Sequence, residues 1–286
     1  MSELYELHAQ PDLQEPLLIV TLEGWIDAGL GAAAAVAAIL GAVPSDHVAT
    51  FDVDRLLDHR ARRPVVRIVD GVNTMLMWPE IQLRSGTTSS GTDVLFLVGP
   101  EPDHEWRAFS RSVAELAGTF GVRMMVGLGA FPAPVPHTRP SRLASTATTS
   151  ELAHQVGFLP GTIDVPAGVQ AALERQFAEL GVPAVGLWAR VPHYAAAMPY
   201  PEASVVLLEG LEHLTGVAVD TRELQDAAVN ARRRLDELIA NSEEHAALVR
   251  QLEAQADAET ERPFGTIPSG DELAAELERF LREENS

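Results

Sequence analysis

Leu17-Leu18-Ile19-Val20-Thr21-Leu22, then Gly24-Trp25-Ile26-Asp27, then the alanine-rich run 28–40: the fold turns on this stretch. A continuous apolar run of this kind, a hexad ended by Glu23-Gly24, suits a strand buried on both faces, as inside a parallel sheet. The alanine run is dominated by the best helix former and predicts a helix that packs back onto that strand. Outward from this pair the alternation repeats. Residues 65–69 and 74–78 flank Asp70-Gly71, a two-residue turn signal, and predict a hairpin, with 81–84 as a further strand. Residues 93–98, 121–128 and 184–189 read as buried strands, and 104–120, 165–180 and 201–214 as helices. The serine- and threonine-rich 85–92 reads as a loop. So do two proline-rich segments, 131–140 and 191–201, which lack the backbone donors of an inner strand. The pattern predicts an α/β core over residues 1–219, a sheet flanked by helices.

From Thr221 the chain changes to unbroken helix formers. Leu224, Ala228, Ala231, Leu235 and Leu238 recur in steps of four and three, and the rhythm continues through His245, Val249 and Leu252 beyond a break at Asn241-Ser242. This seam can close on the core, on itself after a bend, or on another subunit. Residues 220–286 therefore form a helical extension, with 255–269 as a linker and 270–284 as a last helix.

Composition excludes more than it identifies. With 286 residues, 46% of them hydrophobic, the chain can bury a large core. It has no cysteine, which removes disulfides, thiolate nucleophiles and cysteine-rich zinc sites. All 21 basic residues are arginine, so P-loop and Schiff-base lysines are excluded. A net charge of −20, about half of it after Val219, opposes nucleic-acid binding. The N-terminus has neither a basic nor an apolar export region, and the longest apolar run is too short to cross a bilayer. A cytoplasmic protein without membrane contact is expected, and neither a metal nor a cofactor.

Several constellations need weighing against chemistry. Gly29-Leu30-Gly31-Ala32-Ala33-Ala34 satisfies G-x-G-x-x-A, but the first glycine comes too long after the strand for a dinucleotide turn, and close helix packing explains the same letters. Asp27 reads as a cap on the alanine helix, or, if those amides face a cleft, as the neighbour of an anion site. Asp103 reads as a helix cap, which leaves Glu101 unexplained. His137 and Arg139 lie in the first proline-rich loop, and His193 and Tyr194 in the second. Strand-end loops of a parallel sheet gather on one edge, so Trp25, Asp27, Glu101, His137, Arg139, His193 and Tyr194 form a candidate cleft. A hydrolase or phosphorylase-like enzyme could be assembled there, although G-x-S-x-G, H-E-x-x-H and H-x-H are all missing.

The ordered set Gly24-Trp25-Ile26-Asp27-Ala28-Gly29, Gly99-Pro100-Glu101-Pro102, Gly127-Leu128-Gly129-Ala130, Gly186-Leu187-Trp188, Val191-Pro192-His193-Tyr194 and Pro199-Tyr200-Pro201 resembles the prokaryotic, actinobacterial-type branch of the proteasome-assembly-chaperone family. The resemblance implies a three-layer α/β sheet like that of nucleoside phosphorylases and peptidyl-tRNA hydrolases. It also implies homo-oligomers, trimers preferred, and a non-enzymatic interaction or assembly role with a possible proteasome client. The chain ends Glu283-Glu284-Asn285-Ser286 rather than in the hydrophobic-Tyr-X tail of ring-docking chaperones, so tail docking is not expected.

Overall fold

The computed structural model describes residues 4–24 and 26–261, on which everything below rests. Strand β1 (Tyr5–Leu7) is short, and β2 (Leu17–Glu23) is the hexad strand. A 3-10 turn (Ala28–Leu30) leads into helix α1 (Gly31–Ala42), and β3 (Ser45–Phe51) and the short α2 (Val53–Leu56) follow. Strands β4 (Val65–Val69) and β5 (Val72–Met77) form a separate hairpin. Next come β6 (Gln82–Thr87), β7 (Asp93–Pro100), α3 (Trp106–Thr119), β8 (Met124–Ala133), β9 (Leu143–Ala147), α4 (Ser150–Val156), α5 (Val169–Leu180) and β10 (Ala184–Pro192). Helices α6 (Pro201–Thr215), α7 (Arg222–Ala240) and α8 (Glu243–Glu261) close the described chain.

Eight strands make one sheet in the order β1-β3-β6-β7-β2-β8-β10-β9. The four central strands β7, β2, β8 and β10 are parallel, and the antiparallel strands lie outside them. Because successive side chains of β2 point to opposite faces, Leu17 and Ile19 join one core with α1 and α6, while Leu18 and Val20 join another with α3 and α5. Burial on both faces is what the unbroken hexad requires.

The glycines of 29–34 serve packing. Gly29 adopts φ +66°, and a β-carbon there would meet Tyr200 at 2.6 Å. One on Gly31 would lie 2.8 Å from the β-carbon of Ala203 on α6 and 3.0 Å from that of Ala130 on β8. The two glycines let α1 seat against α6 and the sheet at near backbone contact.

Three local expectations are corrected. Residues 85–87 belong to β6, paired with β7, and only 88–92 turn. Strand β8 runs through Phe131-Pro132 to Ala133 alongside β10; its ladder with β2 ends at Gly127, so a proline at 132 interrupts no two-sided pairing. Residues 255–261, expected as linker, continue α8, because the first helix-breaking proline is Pro263. The rest of that linker and the helix expected at 270–284 lie outside the described residues.

The extension packs inward. A break at Asn241 lets α8 fold back beside α7, and Leu235 joins the core that α6 shares. Val249 and Leu252 are buried, whereas Leu238 and His245 at the bend are exposed. The apolar seam is thus used within the chain, by its own core and by itself. Among the described residues, no helix is long and apolar enough to cross a membrane.

The hairpin β4–β5 joins neither core. Asp70 and Gly71 both have positive φ, +49° and +81°, the two-residue turn that matches strand twist. Val65 stands opposite Met77, and Val66, on the other face, opposite Leu76. Both faces of the ribbon are therefore apolar, and its large hydrophobic residues, with Trp78 at its base, are 40–62% exposed.

Candidate functional site

The carboxyl ends of β2, β7, β8 and β10 define the edge where an open α/β sheet binds ligands. The six candidate residues that are described do not converge there in one group. Trp25 lies outside the described residues. Asp27 caps α1 from a distance: its Oδ1 accepts from the amide of Ala32 at 2.7 Å and its Oδ2 from that of Ala33 at 2.9 Å. An incoming anion would need those same amides, so the anion-site reading of this helix end is corrected. We expect Asp27→Ala to lower stability by about 1 kcal/mol, the usual worth of a cap, as a decrease in the thermal denaturation midpoint.

His137 and Arg139 bind the helical extension, and Tyr194 holds His137. The backbone amide of His137 donates to the Tyr194 hydroxyl at 2.9 Å, and that hydroxyl lies 2.7 Å from Nδ1. With Tyr194 donating to Nδ1, the Nε2 hydrogen of His137 donates to Asp236 on α7 at 3.1 Å. Thr138 donates to Glu253 at 2.6 Å, and Arg139 grips Asp257 with two bonds of 2.8 and 2.9 Å. The Arg139 guanidinium holds the Asp257 carboxyl below its usual range. An Asp-His-Tyr chain resembles a catalytic relay, but burial raises the Tyr194 pKa and the hydroxyl at its end is fully engaged. The arrangement latches the proline-rich loop to α7 and α8. His193 is exposed and stacks edge-on with Tyr194, ring centroids 5.4 Å apart.

Glu101 does reach the strand-end edge, where a cavity of about 580 Å³ opens. Its Oε1 accepts from the amide of Val169 at 2.6 Å and so caps α5. Asp103, expected as a cap on α3, instead accepts from the amide of Asp58 at 2.8 Å and pairs with Arg62; α3 starts only at Trp106, past Glu105 in a left-handed conformation. Burial raises the Glu101 pKa, opposed by the Val169 amide and Arg62.

The cavity walls are mostly apolar, among them Leu22, Ile26, Leu128, Phe131, Ile163 and Val165. Its polar groups are ones that motif reading missed. Glu174 on α5 is 9% exposed; its Oε1 accepts from Thr146 at 3.0 Å and from Gln170 at 3.3 Å. Burial raises its pKa, opposed by these two neutral donors. The indole of Trp188 lies on Gly129, where a β-carbon would sit 2.3 Å from the ring, and Gln170 covers Gly127 and Gly186 in the same way. The available signals were glycines at alternate positions of a strand, which mark a close approach, and an acidic residue on the Val169, Leu173, Phe177 stripe of α5.

A carboxyl whose folded pKa is raised holds its proton to higher pH in the native state. Its stabilising contribution is complete below the unfolded value of about 4.3 and is lost as pH rises through the folded one. Glu174→Gln is therefore expected to lose less thermal stability than the parent protein between pH 4.5 and 7.5, compared by calorimetry. Among the described residues, no group of three His, Asp or Glu side chains could hold a metal ion.

The PAC2 family model matches residues 21–239. Among solved structures, a Mycobacterium tuberculosis protein of unknown function aligns with a TM-score of 0.80 and 36% identity, over 89% of this chain and 91% of that one. A Mycobacterium tuberculosis proteasome-assembly chaperone homologue aligns with a TM-score of 0.76 and 32% identity, over 82% and 99%. An archaeal proteasome activator from Pyrococcus furiosus, at 14% identity and a TM-score of 0.65 over 82% and 97%, shares the fold. No curated protein matches the sequence.

Proposed function

We propose, since the chain belongs to the PAC2 family, that it is a non-enzymatic, homo-oligomeric protein of assembly-chaperone type, acting through protein surfaces rather than through a reaction. The observation that carries this reading is the β4–β5 arm, apolar on both faces and exposed along its whole length. A lone two-stranded hairpin is marginal in water, and an apolar ribbon with two free edges invites pairing. Its occupant is a second copy of this chain. With Arg62 paired to Asp103, Arg60, Arg63 and Arg67 still outnumber Asp70 over residues 60–78 and leave the arm and its base net basic on a chain of net charge −20, so the surface most complementary to it belongs to the acidic protein itself. A closed ring in which each arm meets the next subunit fits the trimer that the family resemblance implies. The client is a proteasome component by family analogy.

Sedimentation velocity at micromolar concentration tests the proposal. The expected result is a single species of three chain masses; a monomer that persists at every concentration would remove the basis of the reading.

A further inference from the structure

The strand-end cavity points to a second activity that does not depend on the arm. We propose that it is a binding site for a primary amine carrying an apolar or aromatic body, held by Glu174. At about 580 Å³ the cavity falls within the range of small-molecule sites, and its mixture of apolar walls with a few converging polar groups is the usual composition of one. The charge of the ligand follows from the lining. Among the described residues, Glu101 and Glu174 are the ionisable side chains there, and no arginine or histidine lines the cavity.

The two carboxyls are not equivalent. Glu101 has Arg62 nearby and the Val169 amide on Oε1. Glu174 has only the neutral Thr146 and Gln170, both on Oε1, and among the described residues its Oε2 has no hydrogen-bond partner. That oxygen is not among the fully buried unpaired atoms, so it opens to the cavity; for a carboxylate otherwise largely desolvated, an ammonium group there supplies both a donor and a compensating charge. Trp188 presents its ring beside Thr146, to which its indole nitrogen donates at 3.2 Å; an aromatic face attracts a cation as well. An anion would meet two carboxyls and a strongly negative chain. A neutral apolar molecule would fill the walls and leave Oε2 further desolvated.

Calorimetric titration of the full chain with 2-phenylethylamine tests the assignment, with 2-phenylethanol and phenylacetate as shape-matched controls. The amine is expected to bind, the alcohol at least tenfold more weakly, and phenylacetate not at all. Glu174→Gln, which keeps an oxygen for Thr146 and Gln170, is expected to weaken the amine at least tenfold and leave the alcohol unchanged. No heat with the amine, equal affinity for amine and alcohol, or an undiminished affinity in Glu174→Gln would each overturn it. Because the readout is binding to this cavity, it is independent of the oligomeric state and of any client.

Discussion

Met75→Asp combined with Val66→Thr and Leu76→Thr is expected to convert the proposed oligomer into a folded monomer. Val66 and Leu76 are cross-strand partners on one face of the ribbon, and Met75 stands opposite Arg67 on the other. Threonine keeps β-propensity, and an aspartate facing Arg67 adds an opposite-charge pair, so the hairpin itself is preserved. What is lost is apolar surface. At roughly 1.5–3 kcal/mol for each large side chain fully buried, three partial removals cost about 4 kcal/mol per copy, near a thousandfold in association constant. None of the three residues contributes to either core, so the far-ultraviolet circular dichroism should be unchanged while sedimentation shows one chain mass. An unchanged oligomer would place the interface elsewhere.

The second large effect is expected from Gly31→Val. The added atoms would have to enter a space already closed by the β-carbons of Ala203 and Ala130, at 2.8 and 3.0 Å from the first of them. Neither neighbour has a flexible side chain to swing aside, so α1 must lift from both α6 and β8. Overpacking of this kind costs about 1–3 kcal/mol, and the thermal midpoint should fall by several degrees. A glycine retained for nucleotide contact would behave differently: valine there would leave stability near the parent value and abolish a ligand response.

The central strands were legible because a buried parallel strand must be apolar on both faces, and residues 17–20 and 94–97 are. The hairpin was legible because Asp70-Gly71 specifies its own turn geometry. Its exposure was not: an apolar alternation implies a covering surface without saying which molecule supplies it. Candidate residues chosen by proximity to strand ends were hard to sort, because a carboxylate there serves equally as a remote cap, as Asp27 and Glu101 do. His137 and Arg139 are spoken for by residues about a hundred positions away on α7 and α8, a partnership that local spacing does not encode. Glu174 escaped notice since an acidic residue amid helix formers reads as solvated unless the closeness of Gly186 and Gln170 is known.

Amide hydrogen exchange across residues 65–77 in the native protein bears most directly on the arm. An arm sandwiched against another copy should exchange far more slowly than a free ribbon, with protection that fades on dilution as the subunits part. Exchange near the free-peptide rate at every concentration would mean that nothing covers those side chains, and the arm would not be where copies of this chain meet.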